Sequence, residues 1–358
     1  MSWKIAATLP ARPGEQESLG FAGAVSGFYK NRILVAGGAN FPDAMPWLGG
    51  KKKYYNEVFI YLKKGDELFL ESTSCHLPEA IAYSASSSCE QGIVYAGGEN
   101  EKGPINHVFL IQLKDAVCNF KKLPDLPVAV SNASMIISGN KVYLAGGETA
   151  LKVSDQFFLL DLHNMESGWK ILPPLPKPLS HAVMVIQQKD QHENIYVLGG
   201  RQKTITGISE LFNSVYEFDV TAGSWSSKSP LPYALSAGTG VDLNGEQILL
   251  LGGDNGATFH KVESIIAAIQ KETDEQKKNE LNRQKTVLQS SHPGFSNTLL
   301  LYDTRKGTCK SAGNAPLSIP VTTSAFKYGD QIFITSGEIR AGVRSPHIIA
   351  GKIPHQLQ

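Results

Sequence analysis

The chain has 358 residues, 42% of them hydrophobic, and its 34 lysines and arginines nearly balance its 33 aspartates and glutamates. This composition supports a folded core, and the balanced charge argues against the clustered basic face of nucleic-acid-binding proteins. No apolar run approaches the roughly 20 residues of a membrane span. Neither nucleic acid nor membrane is therefore expected as a partner.

The opening residues, MSWKIAATLPARPG, contain no apolar signal-peptide core. The sequence as given therefore predicts a cytoplasmic protein, or a periplasmic one if a leader was removed. The four cysteines show neither CxxC nor metal-ligand spacing. They are expected to be buried, reduced thiols, and no metal site is predicted.

An apolar run that ends in a glycine pair recurs along the whole chain. Its copies are ILVAGG ending at Gly38, IVYAGG at Gly98, VYLAGG at Gly147, IYVLGG at Gly200, ILLLGG at Gly253 and the degenerate IFITSG at Gly337. Apart from one wide gap, the spacing is close to the roughly 50 residues typical of the kelch repeat. Such a unit cannot bury its apolar faces alone, so the copies are expected to pack against one another.

Each unit repeats one order of four strands, here called a, b, c and d. A strand of small residues precedes the apolar strand, a variable loop follows, and two further strands complete the unit. The pattern resembles the kelch family and predicts an all-β, six-bladed propeller that forms a single domain over residues 1–358. The last unit lacks a fourth strand, and residues 2–8 are predicted to supply it and close the ring.

The wide gap follows Gly253 and holds an insertion of about 30 residues in blade five, over approximately residues 259–292. Val262, Ile265, Ile266 and Ile269 have the spacing of one helix face, and the polar stretch ETDEQKKNELNRQK follows them. The insertion is predicted to be helical. A cap over the central opening and a helix packed on the rim both remain open.

The b–c loops are long and dissimilar, which marks their end of the propeller as the candidate active face. The residue after each glycine pair should point toward the axis at that face, and five of the six are charged: Ala39, Glu99, Glu148, Arg201, Asp254 and Glu338. Charges near an axis are costly unless they are paired or functional. The alternative to a binding site is a set of mutually satisfied ion pairs.

Blade six departs most from the repeat, because its glycine pair is replaced by Ser336-Gly337 and the segment GEIRAGVRS follows. This segment places Arg340 and Arg344 beside Glu338. A guanidinium can hold a carboxylate through two parallel hydrogen bonds, and a glutamate can transfer protons. The combination favours an acidic sugar as ligand.

GEIRAGVRS resembles the GEAKPGLRT-type segment of the sialic acid mutarotases, also called N-acetylneuraminate epimerases. GFAGAVSGFYKNRILVAGGANF, GGENEKG and the insertion after GGDN are similar to that family too. The family usually begins near the position of Val128 and carries the Glu/Arg segment in its fourth blade. The resemblance therefore implies a circularly permuted branch.

The resemblance implies that the chain is an isomerase that interconverts the α and β anomers of N-acetylneuraminic acid, or of a related acidic sugar, without a cofactor. Glu338 would be the acid/base, and Arg344 would bind the substrate carboxylate. Further candidates for holding the sugar are Arg340, Arg201, Glu99, Glu148, Asp254, Asn40 and His181, with Asn255 beside them. The oligomeric state is not predicted.

Two other functions are weighed against this one. Many kelch propellers bind a protein or carbohydrate ligand on the same face without catalysis. A copper oxidase would need histidine ligands and a Cys–Tyr crosslink, and the nine histidines are scattered over the chain.

Overall fold

The computed structural model describes residues 1–189 and 192–357, and its described part contains six four-stranded antiparallel sheets. Five sheets follow the order a-b-c-d along the chain, and in the sixth the N-terminal strand takes position d. Strands a of neighbouring sheets contact one another around a closed ring, including those of the first and sixth sheets. The predicted six-bladed propeller is confirmed.

The two inner strands of each blade carry the small and the apolar segments. From blade one to blade six, strands a are Val25–Tyr29, Ala85–Cys89, Ser134–Ser138, Val183–Lys189, Thr239–Asp242 and Ala325–Tyr328. Strands b are Arg32–Ala36, Gly92–Ala96, Lys141–Ala145, His192–Leu198, Gln247–Leu251 and Gln331–Thr335. Strands b are buried along most of their length, because they lie between strands a and c and are covered by neighbouring blades.

The two outer strands complete each sheet. Strands c are Glu57–Lys64, Val108–Lys114, Phe157–Asp161, Val215–Asp219, Thr298–Asp303 and His347–Lys352. Strands d are Glu67–His76, Val117–Lys122, Lys170–Leu172, Ser224–Lys228, Thr308–Asn314 and, for blade six, Ser2–Thr8. Short 3₁₀ helices lie at Pro46–Leu48, Met165–Ser167 and His355–Leu357.

The N-terminal strand closes the ring as predicted. Ser2 pairs with Lys352 and Thr8 with His347, and the Trp3 ring lies against Gly351. The Tyr61 hydroxyl of blade one donates to the Thr8 carbonyl at 3.0 Å. The strand thus satisfies the edge of blade six and ties it to blade one.

A ring of backbone hydrogen bonds surrounds the axis. In each blade a residue two positions before the start of strand a, or three in blade six, donates its N–H to the carbonyl of the equivalent residue in the preceding blade, at 2.7 to 3.1 Å. The six are Gly23, Tyr83, Asn132, His181, Ala237 and Thr322, and all have left-handed backbones with φ between 50° and 65°. This conformation costs a non-glycine residue about 1 kcal/mol, so the ring holds five strained residues in place. We call these six residues the axial ring.

The insertion forms two helices, α1 (Phe259–Lys271) and α2 (Glu275–Ser290), with Asp274 capping α2. Glu263 of α1 accepts hydrogen bonds from the Ser209 N–H at 2.7 Å and the Ser209 hydroxyl at 2.8 Å, in the b–c loop of blade four. On its other side α2 packs against the Pro46–Leu48 turn of blade one. The insertion therefore spans loops of blades four and one on the loop-rich face. Among the described residues, no helix combines the length and the apolar character needed to cross a bilayer.

Candidate functional site

The residues after the glycine pairs take one backbone position in all six blades. Each forms an antiparallel bridge with the residue directly before the axial ring: Ala39 with Ala22, Glu99 with Ala82, Glu148 with Ser131, Arg201 with Ser180, Asp254 with Ser236 and Glu338 with Val321. Five charged side chains are therefore arranged around the axis at the loop-rich face. A channel of about 380 Å³ runs between strands a and is lined by the axial ring, including His181, but by none of these five charged residues.

Glu338 and Arg344 pair across a two-stranded hairpin formed by Glu338–Arg340 and Val343–Arg344. Arg344 Nη1 lies 3.3 Å from Glu338 Oε1, and the Gly342 N–H donates to the same oxygen at 2.6 Å. The Arg344 side chain is only 4% exposed, and its guanidinium lies 4.8 Å from the Phe41 ring centroid. Two hydrogen-bond donors of the hairpin thus fix Glu338, and one of them, Arg344, is buried.

The altered glycine pair of blade six supports this hairpin. Ser336 is fully buried with φ 50°, and its hydroxyl accepts from the Phe21 N–H at 2.8 Å. The same oxygen lies 2.7 Å from the Ser345 carbonyl, next to Arg344. The serine therefore joins blade one to the hairpin, a link that glycine cannot make.

A second cluster lies around Glu148, His181 and Arg201. Ser180 Oγ donates to Glu148 Oε1 at 2.8 Å, and Arg201 Nη2 lies 3.3 Å from the same oxygen. Arg201 Nη2 is also 3.4 Å from His181 Nε2, while His181 Nδ1 is 3.1 Å from Ser180 Oγ. Because Arg201 can only donate, the neutral His181 ring carries its proton on Nδ1.

Burial and charge set the protonation of this cluster. Burial, together with the charge of Arg201, lowers the pKa of His181 to about 3 against the opposing effect of Glu148. Burial raises the pKa of Glu148, but His181, Arg201 and the Ser180 hydroxyl outweigh it and hold that pKa below its usual value. At neutral pH the cluster is therefore an ionised Glu148–Arg201 pair joined to an uncharged histidine.

Lys52, the middle of three consecutive lysines at positions 51–53, joins the site at Glu99. Its Nζ lies 3.0 Å from Glu99 Oε1 and 4.7 Å from the centroid of the axial-ring residue Tyr83. Burial opposes the charged form, but electrostatic interactions with Tyr83, Glu99 and Tyr54 and the hydrogen bond to Glu99 outweigh it and raise the pKa of Lys52. The sequence offers little to identify Lys52 as a site residue, because a loop lysine that faces solvent and one that faces the axis look the same in sequence.

His292, at the end of the insertion, also lies in the site. Burial lowers its pKa, and the charges of Asp254, Glu338 and Arg340 act on its ring. The sequence analysis used this residue only to mark the end of the insertion. Only the folded loop brings it to blades five and six.

The other predicted residues differ in how they are placed. Asn40 is 2% exposed, its amide nitrogen donates to the Gly20 carbonyl and its oxygen accepts from the Tyr55 hydroxyl, so it supports the blade-one loop. Arg340 is exposed, and Asp254 Oδ1 accepts from the Gly256 N–H at 2.8 Å. The side chain of Asn255 accepts from the N–H of Ala257. The described residues contain no group of three or more His, Cys, Asp or Glu placed to hold a metal ion.

Comparison with known proteins decides the family. A family model described as N-acetylneuraminate epimerase matches residues 123–358, more than half of the chain. The chain belongs to the N-acetylneuraminate epimerase family. The matched segment includes four of the five charged positions and the Glu338–Arg344 hairpin.

Individual relatives match over a shorter stretch. The N-acetylneuraminate epimerase of Vibrio vulnificus (strain YJ016) is 34% identical over 122 residues, which is 32% of this chain and 31% of the relative. That of Salmonella enteritidis PT4 (strain P125109) is 34% identical over 123 residues, with the same coverage. The chain thus matches just under a third of the length of these curated family members.

A solved structure titled "Structure of YjhT" superposes with a TM-score of 0.68 over 98% of both chains at 12% sequence identity. This likeness shows the propeller fold. The family assignment rests on the sequence match.

Proposed function

We propose that the protein is a cofactor-independent mutarotase that interconverts the α and β anomers of N-acetylneuraminic acid or a closely related acidic sugar. The observation that carries the proposal is the Glu338–Arg344 hairpin, a fixed carboxylate beside a guanidinium at the loop-rich face. The family match over residues 123–358 supports the sugar class.

The reaction needs a group that takes and returns one proton. Glu338 would take the proton of the anomeric hydroxyl as the bond from the anomeric carbon to the ring oxygen breaks. The ring oxygen takes up a proton, which gives the open keto form. Rotation and the reverse transfers then close the ring on the other face. A carboxylate held by two donors is suited to this exchange because its oxygens keep a constant position.

The substrate carboxylate needs a cation. Arg344 is the proposed group, since its planar guanidinium can bind Glu338 and still present other N–H groups. The Phe41 ring lies beside it, with its centroid 4.8 Å from the guanidinium carbon. Arg201 has a buried Nε without a hydrogen-bond partner in the described structure, which suits a donor that serves a ligand. Arg340 and Lys52 are further cations at this face.

The circular permutation stays part of the proposal. The family-model match begins at residue 123, just before Val128, where the resemblance places the usual start of the family. A ring closed by strand pairing allows a different starting blade because the contacts around the axis are unchanged.

Exchange spectroscopy by NMR tests the proposal directly. Catalytic amounts of the protein should accelerate exchange between the two anomers of N-acetylneuraminic acid, and heat-treated protein should not. Equal exchange with and without the protein would contradict it. A sugar that raises the melting temperature without faster exchange would instead favour a binding propeller.

A further inference from the structure

The insertion returns to the propeller in a short segment, residues 292–296, that connects α2 to strand c of blade five and lies next to blade six. The Ser296 N–H donates to the Gly253 carbonyl at 3.1 Å, directly before Asp254. A Cβ at Gly294 would lie 3.4 Å from the Ile339 carbonyl, directly after Glu338. The segment therefore lies between Asp254 of blade five and Glu338 of blade six.

The ring of His292 is oriented by its own loop. Its Nδ1 lies 3.0 Å from the Gly294 nitrogen, and its ring centroid is 4.9 Å from that of Phe295. A backbone N–H only donates, so Nδ1 must accept, and the proton of the neutral ring lies on Nε2. Among the described residues no protein group is hydrogen-bonded to Nε2, although His292 is only 9% exposed.

Three charged side chains interact electrostatically with this ring. Asp254 comes from blade five, and Glu338 and Arg340 come from the blade-six hairpin. The two carboxylates raise the pKa of His292, but burial, together with Arg340, outweighs them and leaves it below its ordinary value. The ring is thus uncharged at neutral pH, and its Nε2–H is a neutral donor on a segment that approaches blade six next to Glu338.

We propose that His292 donates a hydrogen bond from Nε2 to the bound acidic sugar, at the oxygen that gains negative charge when the ring opens. This rests on the proposed mutarotase function. A neutral imidazole suits the role because it stabilises developing charge without giving up its proton. Glu338 moves the proton, and His292 supplies the donor, so the helical insertion contributes to catalysis through its last loop.

Nitrogen-15 NMR of histidine-labelled protein tests the donor without reference to activity. Long-range correlations should show His292 protonated on Nε2 at neutral pH, and its signals should shift when N-acetylneuraminic acid is added. A proton on Nδ1, or signals unchanged at saturating sugar, would overturn the proposal.

Two substitutions test the role in exchange. His292→Phe keeps a ring without a donor and should slow exchange on the order of 100-fold. His292→Gln keeps an N–H near the Nε2 position and should recover most of the rate. The control is His163→Gln in an exposed turn, which should match the wild type. Wild-type exchange by a folded His292→Phe variant would refute the donor role.

The two proposals fail in different ways. If the wild type does not accelerate exchange, the mutarotase function fails, whatever the histidine variants do. If the wild type is active while His292→Phe and His292→Gln are slowed equally, the function stands and the donor role of His292 is wrong.

Discussion

Glu148 and Glu338 occupy the same backbone position in blades three and six, on opposite sides of the six-bladed ring. Each has an arginine nitrogen 3.3 Å from its Oε1, Arg201 for Glu148 and Arg344 for Glu338. Their surroundings differ, because Glu148 Oε1 lies 3.5 Å from Nδ1 of the buried His181, whereas Glu338 accepts from the hairpin N–H of Gly342. The same repeat position thus supports an ion-pair cluster on one side and the proposed reacting carboxylate on the other.

Glu338→Gln should lower anomer exchange by at least 100-fold, because an amide cannot take the proton. It keeps the shape and one acceptor oxygen, so the melting temperature should change little. Exchange is measured by NMR and folding by circular dichroism. The control is Glu101→Gln, at an exposed residue between the short paired strands Glu99–Asn100 and Gly103–Pro104 of blade two. An active Glu338→Gln variant would exclude the assigned role.

Arg344→Lys should weaken sugar binding and slow exchange, each by about tenfold or more, because a lysine loses the planar pair of donors. It also loses the contact of Arg344 Nε with the Ala39 carbonyl. Calorimetric titration measures the dissociation constant. Arg283→Lys on exposed α2 should have no effect. If Arg201→Lys weakens binding and Arg344→Lys does not, the substrate carboxylate is held instead by Arg201, in the cluster with Glu148 and His181.

Acid should destabilise the protein through His181. Its pKa of about 3 in the folded protein lies below the ordinary 6.5, so between these values only the unfolded chain takes up the proton. The free energy of unfolding should fall by about 1.4 kcal/mol for each pH unit below 6.5 from this group, and His292 acts in the same direction.

His181→Asn isolates that contribution. Asparagine tolerates the left-handed backbone and stands at the equivalent place, Asn132, in blade three. Urea unfolding at several pH values should show a shallower loss of stability between pH 6.5 and 4.5 than in the wild type. Identical slopes would mean that His181 titrates normally.

Gly23→Ala should destabilise the protein even though five equivalent residues of the axial ring carry side chains. A Cβ at Gly23 would lie 2.5 Å from the Tyr83 nitrogen. Only a movement of the backbone could relieve this clash. Ala237→Gly is the matched change in blade five and should stabilise by up to about 1 kcal/mol, because it removes left-handed strain. Thermal melts of both variants decide this. An unchanged melting temperature for Gly23→Ala would contradict the packing argument.

Deleting residues 2–8 should lower the melting temperature of the whole propeller, since it exposes the edge of His347–Lys352. It also removes the Trp3 contact with Gly351. Lys4→Ala, on the same strand and exposed, is the control. A deletion variant that melts like the wild type would show that ring closure contributes little to stability.

Much of the fold follows from local sequence. The glycine pairs mark six blades, and the spacing of Val262, Ile265, Ile266 and Ile269 predicts the helix found at Phe259–Lys271. These features depend on the period of apolar residues and on turn residues within one repeat, which sequence shows directly. The pairing of residues 2–8 with the last repeat also follows, because a unit with three strands leaves an open edge.

The site was predictable only in part. Glu338, Glu148 and Arg201 are identified by the repeat register and Arg344 by the segment that follows the altered glycine pair. The structure shows which of them pair. Lys52 and His292 have no such register, because they lie in loops whose length differs between blades. Asn40 also has a fixed place in the repeat, two residues after its glycine pair, but its side chain hydrogen-bonds to Tyr55 and Gly20. These partners come from other parts of blade one.

The sequence by itself determined the number of blades, the helical insertion and the ring of charges. Tertiary structure alone decided the axial ring of hydrogen bonds, the tautomers of His181 and His292 and the burial of Arg344. The physical reason is range: strand and helix periodicity are local, whereas a hydrogen bond between equivalent residues of neighbouring blades exists only after the ring has closed.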